Sequence, residues 1–196
     1  MFGKLREKYQ KAIAPVGSLL SKTGISPNMI TLISLFVSSL SCYAYLSGRP
    51  VEGAVLVLLM GVVDMFDGAV ARASNRVTRF GATFDHVIDR YAEFLIVLGI
   101  VLGRYAEWLW GFFALFSMLM ASFTRAKAES VGGLKSCTVG IAERQEKLLI
   151  VIGASVATPW LPNIKILNYA MILIGILSSI TVVQRLAYTW KETGGK

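Results

Sequence analysis

The sequence predicts an all-α integral membrane protein with six transmembrane helices and an amphipathic helix on the membrane surface at its N-terminal end. Composition is the first observation, because the 196-residue chain is 55% hydrophobic and only 16% charged, unlike a soluble domain. Long uncharged stretches are the second, and a one-sided distribution of basic residues is the third. A chain of this length is expected to form a single domain over residues 1–196.

The uncharged stretches set the number of spans, because a helix that crosses a bilayer needs about 20 consecutive apolar residues. Four stretches carry no charged side chain: residues 23–48, 108–124, 148–164 and 166–184. Two shorter runs, 53–63 and 94–103, reach span length only if the acidic residues at their ends enter the membrane. Within a bundle over 27–188, the predicted spans are 27–48, 51–73, 84–104, 107–128, 143–161 and 165–188.

The basic residues orient this bundle. Of 20 Lys and Arg residues, 17 fall on the side of the two termini, and only Arg49, Arg104 and Lys165 fall on the other side. Cytoplasmic segments are enriched in Lys and Arg, so both termini are predicted in the cytoplasm, and a prokaryotic chain would lie in the plasma membrane. The net charge of +8 follows from this asymmetry, which removes the main argument for nucleic-acid binding and leaves a face for anionic membrane lipids.

Residues 1–24 are amphipathic. Phe2, Leu5, Tyr9 and Ile13 recur three or four positions apart with charged residues between them. The segment lacks a separate apolar core with a cleavage site, so it does not resemble a signal peptide. It is predicted to form a juxtamembrane helix that lies on the cytoplasmic surface of the membrane.

Four aspartates lie within two segments that are predicted to span the membrane. Asp64 and Asp67 are three apart on the second span, and Asp85 and Asp89 are four apart on the third, so each pair shares a helical face. The loop between them, 73–82, is short, which makes the two spans antiparallel neighbours and brings the carboxylates together. Such charges repel one another and cost roughly 2.5 kcal/mol or more each at mid-bilayer. Oxygen ligands favour Mg²⁺ or Mn²⁺, so the sequence predicts a divalent metal site.

Two other interpretations of the aspartates are weaker. Loop carboxylates paired with the arginines of this segment have no reason to recur at helical spacing on two helices. A divalent-cation transporter would continue its acidic residues across the membrane, whereas the second span has none between Glu52 and Asp64, and no inverted repeat is visible. His86, the only histidine, lies off the face that the acids share and is not expected to bind metal.

Residues 64–89 resemble the signature of the CDP-alcohol phosphotransferase family, in the order Asp64-x-x-Asp67-Gly68-x-x-Ala71-Arg72, eight residues, then Gly81-x-x-x-Asp85-x-x-x-Asp89. The resemblance implies that a CDP-linked lipid gives its phosphatidyl group to an alcohol while CMP leaves, with two divalent ions clamping the pyrophosphate. It also implies that Asp64, Asp67 and Asp85 hold the metal ions. Asp89 would be the general base and a further metal ligand.

The same resemblance assigns residues to the CDP-lipid. Gly68 would let the cytidine approach the helix, Arg72 would pair with the diphosphate, and Thr78 would contact the nucleotide. The stretch "SPNMIT" resembles the segment that closes over the nucleotide, which adds Asn28 and Thr31. A plain helix start is the alternative interpretation of that stretch.

Basic residues at three helix ends point to the acceptor. Arg125 and Lys127 end the fourth span, Arg144 begins the fifth, and Arg185 lies near the end of the sixth, all on the membrane side predicted for the aspartates. They either set the topology only or bind a phosphorylated acceptor, because phosphate pairs well with Arg and Lys. These stretches resemble phosphatidylinositol phosphate and archaetidylinositol phosphate synthases, with Lys127 standing where that pattern has arginine.

The resemblance therefore implies CDP-diacylglycerol or CDP-archaeol as donor, inositol 1-phosphate as acceptor, and a homodimer. Glycerol 3-phosphate is the alternative acceptor, because it is phosphorylated too. Serine or free inositol would leave the basic residues without a ligand. A purely structural membrane scaffold would have no reason to carry the four aspartates.

Overall fold

The computed structural model describes residues 13–194, and all regular structure in that range is helical, as the composition predicts. The first helix, α1, is helical over residues 13–22 of the described chain. The others are α2 (Pro27–Leu46), α3 (Pro50–Ala73), α4 (Arg79–Leu102), α5 (Trp108–Ser130), α6 (Arg144–Ala157) and α7 (Ile166–Glu192). A single 3₁₀ turn, Thr158–Trp160, follows α6.

Within residues 13–194, four helices are long and apolar enough to cross a membrane: α2, α3, α5 and α7. They present large apolar side chains outward, such as Phe36, Phe112 and Trp190, each more than 60% exposed. The chain is therefore a multi-pass membrane protein. The helix α4 matches α3 in length but carries several charged residues, including Asp85 and Asp89 in its first half.

The helix α6 is shorter than the fifth span predicted over 143–161. It has 14 residues, about 21 Å at 1.5 Å per residue. It ends at Ala157 because Pro159, in the following turn, lacks a backbone N–H and cannot continue the helical hydrogen bonds. Lack of charge over 148–164 is therefore a poor guide to where this helix ends.

The described residues form two compact units, one from 13–41 and 55–96, the other from 42–54 and 97–194. In the first unit α1 packs against α3. A Cβ placed on Gly17 would lie 2.7 Å from the Cβ of Ala69, so this approach requires glycine. Phe2, Leu5 and Tyr9 of the predicted surface helix lie outside the described residues.

In the second unit α7 packs along α5 and also against α6. Gly175 of α7 lies directly against the ring of Phe113, and Ser179 donates a hydrogen bond of 3.1 Å to the hydroxyl of Ser117. The buried residues of α7 recur at helical spacing from Leu167 to Arg185, which is the stripe expected of a helix with one packed face.

Candidate functional site

The first unit brings three aspartates together. Asp64 and Asp67 of α3 and Asp85 of α4 each offer a carboxylate oxygen, and these three oxygens lie within 4.8 Å of one another. Asp67 is buried, and the other two are half-buried. Helical spacing puts the first two on one face, and the five-residue connection between Ala73 and Arg79 returns the chain so that the third meets them.

Asp89 lies one turn beyond Asp85 on α4 and is buried. Its carboxylate forms a second group with Asp85 and His86, in which one ligand atom from each residue again lies within 4.8 Å of the others. Asp85 therefore links all four carboxylates, which we call the aspartate cluster. His86 is exposed, yet one of its ring nitrogens reaches this second group, a contact that its position off the acids' face did not predict.

The aspartate cluster fits a divalent cation. Its donors are carboxylate oxygens, the ligands that Mg²⁺ and Mn²⁺ prefer. Oxygens that lie within 4.8 Å of one another can share one ion through bonds of about 2.1 Å after a small adjustment. Like charges this close repel, so a bound cation would stabilise the arrangement.

Thr31 of α2 holds one of these carboxylates in place. Its hydroxyl lies 2.7 Å from Oδ2 of Asp67, and both groups are buried. A short hydrogen bond to an ionised carboxylate is strong, and it fixes the direction in which the other oxygen points. The sequence predicted Thr31 beside the CDP-lipid, so its contact with Asp67 is an additional finding.

Residues predicted to contact the CDP-lipid lie in the second half of α3 and near the starts of α2 and α4. Thr78 accepts a hydrogen bond of 2.9 Å from the N–H of Gly81 and so caps α4. Asn28 Oδ1 lies 3.6 Å from where a Cβ on Gly81 would be, and Arg72 Nη1 lies 3.2 Å from where a Cβ on Gly68 would be. Both glycines therefore leave space beside polar side chains.

The second unit holds the three arginines predicted to bind the acceptor, Arg125, Arg144 and Arg185, and we refer to this predicted set as the basic cluster. Arg185 is only 6% exposed. Its Nε donates to the carbonyl of Val139 at 2.9 Å, and its Nη1 donates to the carbonyl of Ala121. Its charge also interacts with that of Arg125, so these two arginines are near each other. Arg144 is half-buried and begins α6.

Arg125 and Lys127 lie on different sides of α5. Arg125 donates from Nε to Oε1 of Glu129 at 3.1 Å. Lys127 is exposed, and its ammonium lies 5.6 Å from the centroid of the Phe123 ring. Two residues correspond to about 200° of rotation around a helix, which accounts for the separation of the two cations.

Comparison with known proteins identifies the arrangement. A sequence model described as CDP-alcohol phosphatidyltransferase matches residues 24–190. The chain belongs to this family. It is 35% identical to the archaetidylinositol phosphate synthase of Methanothermobacter thermautotrophicus, over 98% of this chain and 95% of that protein. It is 30% identical to the phosphatidylinositol phosphate synthase of Mycobacteroides abscessus, over 92% of this chain and 84% of that one.

Solved structures of phosphatidylinositol phosphate synthase from Mycobacterium tuberculosis share the fold. The structure with CDP-DAG bound has a TM-score of 0.80 and 28% identity, covering 92% of this chain and 94% of that one. A second, in complex with manganese and citrate, also has a TM-score of 0.80 and 28% identity, covering 90% and 88%. The family predicted from residues 64–89 is thus confirmed, and the chain is a CDP-alcohol phosphotransferase.

Two acidic residues of this family member were not singled out from the sequence. Glu93 is 2% exposed, and its Oε2 lies 3.0 Å from Arg90 Nη1, while Arg90 Nη2 lies 3.7 Å from Asp89 Oδ2. A carboxylate inside a membrane span costs free energy unless a cation pairs with it. The i, i+3 spacing of Arg90 and Glu93 was the sequence pattern that could have indicated this pair. Glu129 is the second, and its i, i+4 spacing from Arg125 was the available signal.

Proposed function

We propose that this enzyme transfers the phosphatidyl or archaetidyl group of a CDP-linked lipid to inositol 1-phosphate and releases CMP, as a step of phospholipid biosynthesis. The observation that carries the proposal is the convergence of three carboxylate oxygens within 4.8 Å. The names of its relatives, archaetidylinositol phosphate synthase and phosphatidylinositol phosphate synthase, support the substrate pair. The CDP-DAG bound to the Mycobacterium tuberculosis synthase supports the lipid donor, which would be CDP-diacylglycerol or CDP-archaeol here.

Asp64, Asp67, Asp85 and Asp89 would hold divalent metal, and we propose two ions of Mg²⁺ or Mn²⁺. The manganese in a structure of the Mycobacterium tuberculosis synthase supports this choice. A metal ion bound by these residues would supply positive charge to stabilise the pyrophosphate and the negative charge that develops on the departing CMP oxygen.

Asp89 is the proposed general base. It is buried, and one of its carboxylate oxygens lies within 4.8 Å of an oxygen of Asp85. An alcohol is too weak an acid to attack at neutral pH, so Asp89 would take the proton from the acceptor hydroxyl. The hydroxyl oxygen then forms a bond to the β-phosphorus, and the bond between that phosphorus and the CMP oxygen breaks. Arg90, held by Glu93, places a positive charge near Asp89.

The CDP-lipid would be bound by the residues around the start of α4. Arg72 would pair with the diphosphate, and Gly68 would let the cytidine approach α3. Thr78 and Asn28, which lie beside Gly81, would contact the nucleotide. Thr31 would serve this site through its hydrogen bond to Asp67.

The basic cluster would bind the phosphate of the acceptor. A guanidinium carries five N–H donors, and the contacts of Arg125 and Arg185 with the protein use Nε of each and one Nη1 hydrogen of Arg185. The other terminal N–H groups suit a phosphate. Lys127 is a further proposed ligand that would have to reach from the exposed face of α5. Glycerol 3-phosphate is the second candidate acceptor, because the same donors suit any phosphate monoester.

We further propose six membrane spans, with α4 and α6 added to the four apolar helices, and both termini in the cytoplasm at the plasma membrane. Residues 1–24 would form the surface helix and 27–188 the bundle of a single domain over 1–196. The excess of basic residues on one side supports this orientation. We propose a homodimer, as the family resemblance implies.

The test is CMP release by the purified protein with Mg²⁺ and CDP-diacylglycerol or CDP-archaeol. Inositol 1-phosphate, glycerol 3-phosphate, serine and free inositol are offered one at a time, with Asp89→Asn as the control. We expect release with inositol 1-phosphate that Asp89→Asn abolishes. Release with glycerol 3-phosphate and none with inositol 1-phosphate would show that glycerol 3-phosphate is the acceptor. The proposed role of the aspartates would then still stand.

A further inference from the structure

The loop between α5 and α6, residues 131–143, contains no helix or strand and yet follows a fixed path. Three of its backbone groups, at Cys137, Val139 and Ile141, form hydrogen bonds of 3.0, 2.9 and 3.0 Å with side chains of α5 and α7. Cys137 is completely buried. Connections of this length without regular structure are uncommon and usually functional.

One oxygen atom joins this loop to the basic cluster. Oε1 of Glu129 accepts a hydrogen bond of 3.1 Å from Arg125 Nε and another of 3.0 Å from the N–H of Cys137. A carboxylate oxygen has two lone pairs and can accept both. The side chain of Arg125 and the path of the α5–α6 loop are therefore fixed by the same atom.

Arg185 contacts the same loop two residues further on, where its Nε donates to the carbonyl of Val139. Both arginines thus use Nε to bind the protein, and the fork of terminal nitrogens is the part of a guanidinium that pairs with phosphate in a bidentate way. Holding Nε limits rotation of the side chain, so the terminal nitrogens are directed before any ligand arrives.

We propose that Glu129 is a positioning residue for recognition of the acceptor's phosphate, which it serves by fixing Arg125 and the α5–α6 loop together. The inference rests on the proposed function. Glu129 does not itself bind the acceptor, since a carboxylate repels phosphate. Its charge orients Arg125, and its hydrogen bond to Cys137 holds the loop against α5.

Two variants separate these effects. Glu129→Gln keeps an oxygen that accepts from the N–H of Cys137 but loses the charge that pairs with Arg125. Glu129→Ala removes both contacts. Glu52→Gln is the matched control, because it breaks the exposed i, i+3 pair of Glu52 with Arg49 at 3.4 Å, and exposed pairs contribute little.

Two readouts are measured on the full-length protein. Steady-state CMP release gives KM for inositol 1-phosphate and, separately, KM for the CDP-lipid. The rate at which a maleimide modifies Cys137, in a Cys42→Ser background, reports whether the loop is held, because the chain has two cysteines and Cys137 is fully buried.

We expect Glu129→Gln to raise KM for inositol 1-phosphate about tenfold, as for loss of a charge-assisted hydrogen bond, while the maleimide rate stays near that of the parent. Glu129→Ala should raise this KM at least as much and also speed maleimide modification about tenfold or more. In both variants KM for the CDP-lipid should stay within about twofold of the parent value, because the residues proposed for the donor lie elsewhere on the chain.

An unchanged acceptor KM in Glu129→Ala would overturn the inference, and so would an equal rise in both KM values, which indicates general loss of structure. If the parent releases CMP with inositol 1-phosphate, either of these results contradicts the role of Glu129 and leaves the proposed function standing. If the parent releases no CMP with any phosphorylated acceptor, the proposed function and this inference fail together.

Discussion

The aspartate cluster and the basic cluster are organised in opposite ways. Three carboxylate oxygens are brought within 4.8 Å of one another, and Thr31 hydrogen-bonds one of those residues without supplying positive charge. Arg125 instead pairs with Glu129, and Arg185 donates to two backbone carbonyls. A bound divalent cation would stabilise the first region by offsetting the repulsion between its carboxylates. The second is held in position by the protein before an anion binds.

Asp67→Asn removes one carboxylate from the aspartate cluster and should have the largest effect. Asparagine has the same shape but no charge, and it is a poorer ligand for a divalent ion. We expect CMP release to fall by about a hundredfold to a thousandfold, the loss typical when a charge-stabilising group is removed. Glu192→Gln, at an exposed carboxylate at the end of α7, is the control. Retention of more than a tenth of the activity would contradict the role of Asp67.

Thr31→Val tests whether metal binding by the aspartate cluster depends on the hydrogen bond from the Thr31 hydroxyl to Asp67. Valine has nearly the same shape and cannot donate to Asp67 Oδ2. Residues that orient a metal ligand typically contribute about 10- to 100-fold to metal affinity, so Mn²⁺ affinity should fall by that factor. Thr31→Ser, which keeps the hydroxyl, should bind Mn²⁺ nearly as the parent does. Parent-like affinity in Thr31→Val would show that the hydrogen bond does not orient the ligand.

Arg185→Lys tests whether the basic cluster depends on the fixed geometry of the Arg185 guanidinium. Lysine keeps the charge but cannot donate to the carbonyls of Val139 and Ala121 with a planar fork. We expect kcat/KM for inositol 1-phosphate to fall about tenfold, with KM for the CDP-lipid unchanged. Arg49→Lys, at an exposed pair, serves as the control. If Arg185→Lys behaves as the parent, charge rather than geometry accounts for the role of Arg185.

Thr78→Ala should have the smallest effect. It removes the cap of α4, in which Thr78 accepts from the N–H of Gly81. Loss of such a cap costs about 1 kcal/mol, which corresponds to a fall in Tm of roughly 2–4 °C for a chain of this size. Thr78→Ser should restore Tm. A rise in KM for the CDP-lipid that serine also reverses would support the proposed contact with the nucleotide.

Much of the aspartate cluster could be predicted from sequence, because helical spacing decides which residues of one helix share a face. Asp64 with Asp67, and Asp85 with Asp89, follow from counting. The short connection then predicts that the two helices are neighbours. All four aspartates of the chain lie within residues 64–89, so no other aspartate competed for these roles.

Other contacts could not be predicted, because they depend on how helices rotate and cross. The hydrogen bond from Thr31 to Asp67 joins residues 36 positions apart. The proposed role of Glu129 depends on the path of the α5–α6 loop. A loop has no repeating sequence pattern, so its path could not be predicted. The end of α6 was missed for another reason, since charge was counted over 148–164 while Pro159 decided where the helix stops.

Divalent metal binding by the aspartate cluster can be measured by electron paramagnetic resonance of Mn²⁺ with the purified protein, with and without CDP-diacylglycerol. We expect saturable Mn²⁺ binding that Mg²⁺ displaces, and we expect the Asp64→Asn/Asp85→Asn double variant to lose it. Mn²⁺ binding by the double variant with the affinity of the parent would show that the aspartate cluster does not bind the metal.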